Sequence, residues 1–246
     1  MVQDRGYEKA APFYDLFDNK DNIAFFSHYA TKAGEILDIG AGTGRIAVPL
    51  AERGACVIAV EPSPAMRTQF RKKLDAHPEL QDRVTLIAGT AASFRLDRSV
   101  PAAFLSGGFD HFLDPAERLS SLENIGRHLQ VGGPFVFDVF LGLMKDSPLT
   151  SAGEVKTEDQ IIRRFVGSKI LPDRRIEVTL VFETYQNGAL RDCIKQRSWS
   201  GITDRNEIHR LLTQTGFVVK QEYSDYQFTP YQEGDPLLII ETSPEG

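Results

Sequence analysis

With 246 residues, 41% of them hydrophobic and 25% charged, the chain is long enough to bury one α/β core, and its formal charge of −6 disfavours a nucleic-acid partner, which would need a basic surface. No apolar run has the length of a membrane span or the pattern of a secretory signal, so we expect no membrane partner and a cytoplasmic location. The two cysteines, Cys56 and Cys193, give no disulfide framework, and no His/Asp cluster has the spacing of a metal site.

An aromatic segment near the N-terminus is the first predicted element. Tyr7, Phe13, Tyr14 and Phe17 have the spacing of the apolar side of an amphipathic helix. The pattern by itself indicates packing against the rest of the domain.

A predicted buried strand and a glycine-rich turn follow. The short apolar run at residues 35–39 is typical of a parallel strand that is covered on both faces. Gly40, Gly42 and Gly44 come next, and because they lack a β-carbon they allow positive φ and let a ligand approach bare backbone. The next apolar run ends in Glu61, where a carboxylate can accept both hydroxyl hydrogens of a ribose. Together these signals predict half of a nucleoside-binding site.

The alternation of strands and helices continues as far as residue 140. Residues 83–88 and 102–106 are predicted as the third and fourth strands, and residues 115–129 have the apolar spacing of a helix. Residues 135–140 are predicted as the fifth strand. This order implies an α/β fold with a doubly wound, Rossmann-like sheet. Ligands of such sheets gather at the carboxyl ends of the strands, which is where the glycine turn and Glu61 lie.

The pattern changes between residues 145 and 200. Three β-rich segments follow one another, at residues 161–170, 175–186 and 189–200. Asn187-Gly188, between the last two, is a strong signal for a hairpin turn. We therefore predict an antiparallel β insertion after the fifth strand, which either extends the core or forms a homodimer contact. Residues 201–246 supply a capped helix and the last two strands, and with residues 1–144 they complete a seven-stranded sheet.

The glycine turn with Asp38 just ahead of it resembles the first motif of class I S-adenosylmethionine-dependent methyltransferases. A dinucleotide-binding turn would need a small residue where Arg45 stands. A nicotinamide-dependent oxidoreductase, or a glycine turn that merely reverses the chain, remains the alternative. The resemblance implies S-adenosyl-L-methionine as the cofactor and S-adenosyl-L-homocysteine as the product. The residues expected to contact it are Tyr14, Asp38, Gly40, Ala41, Gly42, Gly44, Glu61, Pro62, Met66, Thr90, Ala91 and Ser106.

Later strand ends match further motifs of this family. Residues 61–66 are similar to the segment in which the acid holds the ribose and an apolar side chain, here Met66, lies against adenine. Thr90 stands where many members have an Asp that bonds the adenine amino group, so the backbone of Ala91 is the alternative contact there. The family's leading aromatic segment closes over the cofactor, which is a second interpretation of Tyr14. Small-molecule members often carry a cover over the substrate pocket, which is a further interpretation of residues 145–200.

The resemblance implies an in-line displacement, in which a substrate nitrogen or oxygen attacks the sulfonium methyl. Alignment and removal of one proton supply most of the acceleration, so no metal is required. His111 follows the fourth strand and is the candidate base, because a neutral imidazole can accept a proton near pH 7. Asp110 is the second candidate. A histidine that only shapes the cofactor pocket is the alternative role of His111.

The expected substrate is a small metabolite. Nucleobase amino-methyltransferases carry an Asn/Asp-Pro-Pro-aromatic tetrad after the fourth strand, where this chain has Ser-Gly-Gly-Phe at residues 106–109. Similarity to glycine and amino-sugar N-methyltransferases favours nitrogen over oxygen as the acceptor. Tyr7, Arg197 and Trp199 are the candidate substrate-binding residues. A regulatory module that binds a nucleoside without catalysis remains the alternative function.

Overall fold

The computed structural model describes residues 7–17, 21–143 and 145–246. The predicted domain limits at residues 1 and 144 lie outside the described residues. In chain order, the first part contains α1 (Ile23–Ala33), β1 (Glu35–Ile39), α2 (Ala47–Glu52), β2 (Cys56–Glu61), α3 (Pro64–Ala76), β3 (Val84–Ala88), β4 (Ala103–Leu105), α4 (Pro115–Arg127) and β5 (Phe135–Val139). The second part contains β6 (Ser147–Lys156), β7 (Ile161–Ile170), β8 (Arg175–Gln186), β9 (Ala189–Gly201), α5 (Arg205–Gln214), β10 (Phe217–Tyr223) and β11 (Leu238–Pro244).

Seven of these strands form one sheet in the order β10-β11-β5-β4-β1-β2-β3. Strands β1 to β5 pair in parallel, and β11 runs antiparallel to both β5 and β10. The predicted doubly wound, Rossmann-like α/β sheet is therefore confirmed. The chain winds outward from β1 in both directions, so a topological switch point lies between β1 and β4, and crevices at such points bind ligands in this class of fold.

Both faces of the central strands are buried. Leu37 and Ile39 of β1 join Phe137 in one apolar cluster, and Ile36 joins Phe104 in a second cluster on the opposite face. Helices cover each face, which explains why the central strands are continuous apolar runs in the sequence. Within the described ranges, no helix is both long enough and apolar enough to cross a bilayer.

The remaining strands form a separate antiparallel sheet in the order β6-β7-β8-β9. Its position confirms the predicted antiparallel insertion after the fifth strand. Asn187 and Gly188 have φ values of 53° and 76°, which are the left-handed conformations that a two-residue hairpin turn of type I′ requires. Strand β6 was not predicted, because it contains Pro148 and Gly153 and lies at the sheet edge with an irregular register.

The N-terminal aromatic segment packs against the antiparallel sheet. Ala11–Phe17 forms a 3-10 helix and not the predicted longer amphipathic helix. Phe13 stacks on Phe182 of β8 with ring centroids 5.0 Å apart, and the guanidinium of Arg164 lies 4.7 Å from the ring of Phe17. This segment is therefore held against the antiparallel sheet by its aromatic side chains.

Candidate functional site

A cavity of about 480 Å³ opens at the carboxyl ends of β1, β2 and β4, which is the switch point of the large sheet. A volume in this range is typical of a small-molecule site. The predicted residues that line it are Tyr7, Tyr14, Gly40, Gly42, Glu61, Pro62, Met66, Thr90, Ala91, Ser106 and His111. The predicted residues that do not line it are Asp38, Ala41, Gly44, Asp110, Arg197 and Trp199.

The glycine turn forms one wall of the cavity. Gly40 and Gly42 have φ values of 67° and 58°, and neither has a protein atom within 3.5 Å of where a β-carbon would stand. Their missing side chains therefore leave space on the cavity side. Gly44 differs, because an added β-carbon would lie 2.4 Å from the ring of Phe70 in α3. The structure thus gives Gly44 a packing role behind the wall.

Gly44→Ala is expected to lower the free energy of unfolding by about 3 kcal/mol or more, because the overpacking of Phe70 adds to the strain of a positive φ. Gly54→Ala is the matched control. Gly54 also has a positive φ, 97°, but nothing lies within 4 Å of its β-carbon position, so only the backbone strain of about 1 kcal/mol is expected. Urea unfolding of both variants measures the difference, and equal losses would contradict the packing role of Gly44.

Glu61 is held in a fixed orientation at the tip of β2. Its side chain is 5% exposed, its Oε2 accepts the N–H of Gly42 at 2.8 Å, and its Oε1 accepts the N–H of Ser63 at 2.7 Å. These bonds tie the glycine turn to the start of α3. Because a carboxylate can accept about four hydrogen bonds, this orientation is compatible with a further contact to a sugar diol.

The wall beyond Glu61 is more apolar. Met66 is 3% exposed and lies in the first turn of α3, where its N–H donates to the capping hydroxyl of Ser63. Pro62 and Ala91 complete this wall. The hydroxyl of Thr90 shares a hydrogen bond of 2.7 Å with Ser93, so it is engaged within its own turn. This end of the cavity has the apolar character that suits an aromatic ring.

The other end of the cavity carries hydroxyl and imidazole groups. The hydroxyl of Tyr7 and Nε2 of His111 are 2.6 Å apart and share a hydrogen bond. Tyr14 packs edge-on against Tyr7 with ring centroids 6.1 Å apart. His111 lies in the 3-10 turn Phe109–His111 that follows β4. Two proton-exchanging groups therefore meet at one place in the cavity.

Two predicted carboxylates are buried behind the cavity surface. Burial raises the pKa of Asp38 to about 7, against the charge of Arg45, which lowers it. Burial also raises the pKa of Asp110 to about 7, with a further rise from the charge of Asp138, and Asp110 accepts the backbone N–H of Phe140. Neither carboxylate lines the cavity.

The predicted substrate residues on β9 are also away from the cavity lining. Arg197 is 56% exposed and pairs with Glu177 on the neighbouring strand at 3.7 Å. Trp199 faces Glu177 in the strand register. A role for Arg197 or Trp199 in substrate binding stays a prediction.

The lining also includes residues that were not among the predicted contacts, namely Ile39, Ser63, Leu105, Gly107, Gly108, Phe112 and Glu117. Gly107 and Gly108 follow the fourth strand just as Gly40 follows the first strand. This similarity in position could have indicated that they line the cavity. Glu117 was not recognised, because a glutamate at this position is typical of a helix cap. Its Oε2 indeed accepts the N–H of Leu113. Among the described lining residues, Glu61 and Glu117 are carboxylates, and there is no lysine or arginine.

No metal centre is found in the part of the chain that the structure describes, where no three or more His, Cys, Asp or Glu side chains gather as potential ligands. The cavity does fit the S-adenosylmethionine that the motif resemblance implies. The carboxylate of Glu61 is buried, Gly40 and Gly42 have no side chains, and the wall at Met66 is apolar, and these are the features that a ribose, an amino acid portion and an adenine require.

Residues 36–133 match the family model described as a methyltransferase domain. The chain is 33% identical over 132 residues to an uncharacterized methyltransferase of Mycobacterium tuberculosis, a match that covers 54% of this chain and 48% of that protein. The chain thus spans about half the length of the curated relatives it matches.

Solved structures share the fold over nearly the whole chain. The CcbJ methyltransferase from Streptomyces caelestis superposes with a TM-score of 0.83 at 19% identity, covering 100% of both chains. The sugar N-methyltransferase KedS8 from Streptoalloteichus gives a TM-score of 0.77 at 19% identity, covering 98% of this chain and 94% of that one. The predicted resemblance to methyltransferases is confirmed for residues 36–133 by the family model, and the solved structures show the same fold.

Proposed function

We propose that this chain, whose residues 36–133 form a methyltransferase domain, transfers the methyl group of S-adenosylmethionine to a nitrogen atom of a small metabolite and releases S-adenosylhomocysteine. The observation that carries the proposal is the carboxylate of Glu61, buried at the switch point and oriented by the N–H groups of Gly42 and Ser63. Glu61 would hold the ribose, Met66 would pack against adenine, and the bare backbone at Gly40 and Gly42 would admit the amino acid portion.

When bound, the cofactor supplies a sulfonium methyl that is already activated for displacement. The protein then has to align the acceptor, exclude water and accept one proton. We assign the proton transfer to His111, whose imidazole would take the proton of the attacking nitrogen as the C–N bond forms and the C–S bond breaks. Tyr7, hydrogen bonded to Nε2 of His111 at 2.6 Å, would orient the imidazole.

The charge of the cavity supports an amine as the acceptor. Glu61 and Glu117 line it, and the described lining offers no lysine or arginine to pair with a carboxylate or phosphate on a substrate. Two carboxylates among the described lining residues favour a cationic or neutral ligand. The sugar N-methyltransferase KedS8 has the same fold, which supports nitrogen over oxygen by analogy.

The antiparallel sheet would act as a cover for the acceptor. Phe182 of this sheet packs against Phe13 in the segment that also carries Tyr14, and Tyr14 lines the cavity. The sheet and the cavity wall are thus in contact through one short helix. The alternative role of this sheet is to form a homodimer contact. Sedimentation of the purified protein distinguishes a monomer from a dimer.

Methyl transfer can be measured directly with S-adenosylmethionine labelled in its methyl group. We expect label to appear on members of a panel of amino sugars and small amines, and not on matched compounds in which a hydroxyl replaces the amine. Calorimetry with S-adenosylhomocysteine and NADH is the companion measurement. Saturable binding of S-adenosylhomocysteine without transfer to any acceptor would favour a regulatory module, and binding of NADH alone would favour an oxidoreductase.

His111→Ala is expected to lower kcat by about 100-fold or more while the affinity for S-adenosylhomocysteine stays within about threefold, because general base catalysis contributes 10² to 10⁴ in rate. His77→Ala is the control, since His77 is exposed and pairs with Glu79 at the end of α3. Initial rates and calorimetry on both variants measure the two effects. Full activity of His111→Ala would reject the base assignment.

A further inference from the structure

A row of buried and partly buried polar side chains extends from the cavity wall at Ser106 into the protein, and the chemistry above does not use it. We call it the polar chain. It consists of Arg45, Asn22, Ser106, Asp138 and Tyr226. These residues come from the glycine turn, the start of α1, the end of β4, the end of β5 and the segment between β10 and β11. The polar chain therefore joins parts of the fold that are distant in sequence.

Ser106 is the centre of the polar chain. Its hydroxyl donates to Oδ2 of Asp138 at 2.7 Å and accepts from Nδ2 of Asn22 at 3.2 Å and from a guanidinium nitrogen of Arg45 at 3.3 Å. A serine hydroxyl has one hydrogen and two lone pairs. These three contacts use all of them, so Ser106 holds the polar chain together.

Asp138 anchors the turn that begins at Ser106. Its side chain is 1% exposed, its Oδ1 accepts the N–H of Gly107, and its Oδ2 also accepts the hydroxyl of Tyr226 at 2.9 Å. Gly107 has a φ of 62°, and a β-carbon at Gly108 would lie 2.3 Å from a side-chain carbon of Leu105. The turn is thus tightly packed on one side and tied to Asp138 on the other.

Arg45 connects this turn to the glycine turn. It follows Gly44 directly, and one of its guanidinium nitrogens donates to Oδ1 of Asn22 at 2.7 Å. Its positive charge acts on two buried carboxylates, lowering the pKa of Asp38 and of Asp138 against the rise that burial causes. Arg45 therefore has a structural role. A dinucleotide-binding site would need a small residue in its place.

We propose that Asp138 is a positioning residue of the methyl-transfer site. Through the polar chain it sets the turn at Ser106 and Gly107 relative to the glycine turn, and the 3-10 turn Phe109–His111 follows immediately. The orientation of His111 over the cavity therefore depends on a carboxylate that touches neither cofactor nor acceptor. This inference rests on the proposed function only in taking His111 as the base of the methyl transfer.

The test uses the full chain labelled with ¹³C-histidine, in which the ring resonance of His111 is identified by its loss in His111→Ala. Tyr226→Phe removes one hydroxyl from Asp138, and Asp138→Asn removes the charge. Tyr223→Phe is the matched control, because its hydroxyl lies 3.4 Å from a different carboxylate, Glu241. We expect the His111 resonance to move in Tyr226→Phe and Asp138→Asn and to stay in place in Tyr223→Phe.

Two results would overturn the positioning role: folded Tyr226→Phe with an unchanged His111 resonance, or an equal change in Tyr223→Phe. If Asp138→Asn does not fold, Tyr226→Phe decides the question alone, since it deletes a single oxygen atom. Calorimetry of the wild-type protein with S-adenosylhomocysteine separates the two proposals. Absence of binding there contradicts the proposed function, whereas the resonance of His111 tests the polar chain independently of the ligand.

Discussion

Glu61→Gln is expected to weaken the binding of S-adenosylhomocysteine by about 100-fold or more. Both carboxylate oxygens accept a backbone N–H, so an amide would turn an NH2 group toward one of these donors and rotate or expel the side chain. Hydrogen bonds to a charged group contribute about 1.5–3 kcal/mol each, and losing two of them from a ribose diol corresponds to at least two factors of ten in affinity. Isothermal titration calorimetry measures the loss.

Glu35→Gln is the control for this experiment. Glu35 lies at the opposite, amino end of β1 and pairs with Arg98 at the surface, so its substitution should leave the affinity unchanged. A folded Glu61→Gln protein that binds S-adenosylhomocysteine as tightly as the wild type would show that the nucleoside is not bound at the tip of β2. The proposed function would then lose the observation that carries it.

Arg118→Met is expected to lower the free energy of unfolding by about 3–5 kcal/mol. Arg118 is 2% exposed, donates to Oε1 of Glu207 at 2.6 Å, and also donates to the carbonyl of Ile202 at 3.1 Å. Removing the guanidinium of Arg118 leaves the buried carboxylate of Glu207 with one other ion pair among the described residues. This is the longer contact to Arg174 at 3.5 Å. Urea unfolding followed by circular dichroism measures the change.

Arg127→Met is the control on the same helix. Arg127 is 61% exposed and its pairing with Glu123 spans 3.8 Å, so a change within about 0.5 kcal/mol is expected. The double variant Arg118→Met with Glu207→Leu should recover part of the loss, because no buried charge then remains without its partner. A loss of stability equal to that of Arg127→Met would mean that the buried pair does not hold α4 to α5.

Arg118 also packs closely against the last residue of the antiparallel sheet, near the cavity. A β-carbon at Gly201, the last residue of β9, would lie 2.5 Å from a guanidinium nitrogen of Arg118 and 2.7 Å from the carbonyl oxygen of Phe112. The end of the antiparallel sheet is therefore packed directly against the segment that follows His111. Only a glycine allows this approach, which links the sheet to the cavity lining.

The features that could be predicted from the sequence are those whose physical cause is local. Residues 35–61 contain a complete strand, turn, helix and strand, so the glycine conformations and the strand tip at Glu61 follow from a stretch of fewer than thirty residues. The Asn187-Gly188 turn is equally local, since its positive φ values depend on these two residues. The alternation of strand and helix patterns likewise predicted a doubly wound sheet, which the structure confirms.

The missed or altered features depend on residues that are far apart in the chain. Tyr7 meets His111 across 104 positions, and Arg118 meets Glu207 across 89. Gly44 has the same local pattern as Gly40, and only the ring of Phe70 shows that it packs against α3 instead of facing the cavity. Periodicity and turn propensity contain no information about such contacts.

The sequence by itself determined the class of fold, the glycine turn and the acid at the tip of β2, because backbone conformation and short-range hydrophobic pattern produce them. The tertiary structure alone decided which side chains reach the cavity. It placed Asp138 beneath the turn of Ser106 and Asp110 behind the surface, because packing of distant strands brings these carboxylates together and excludes water from them.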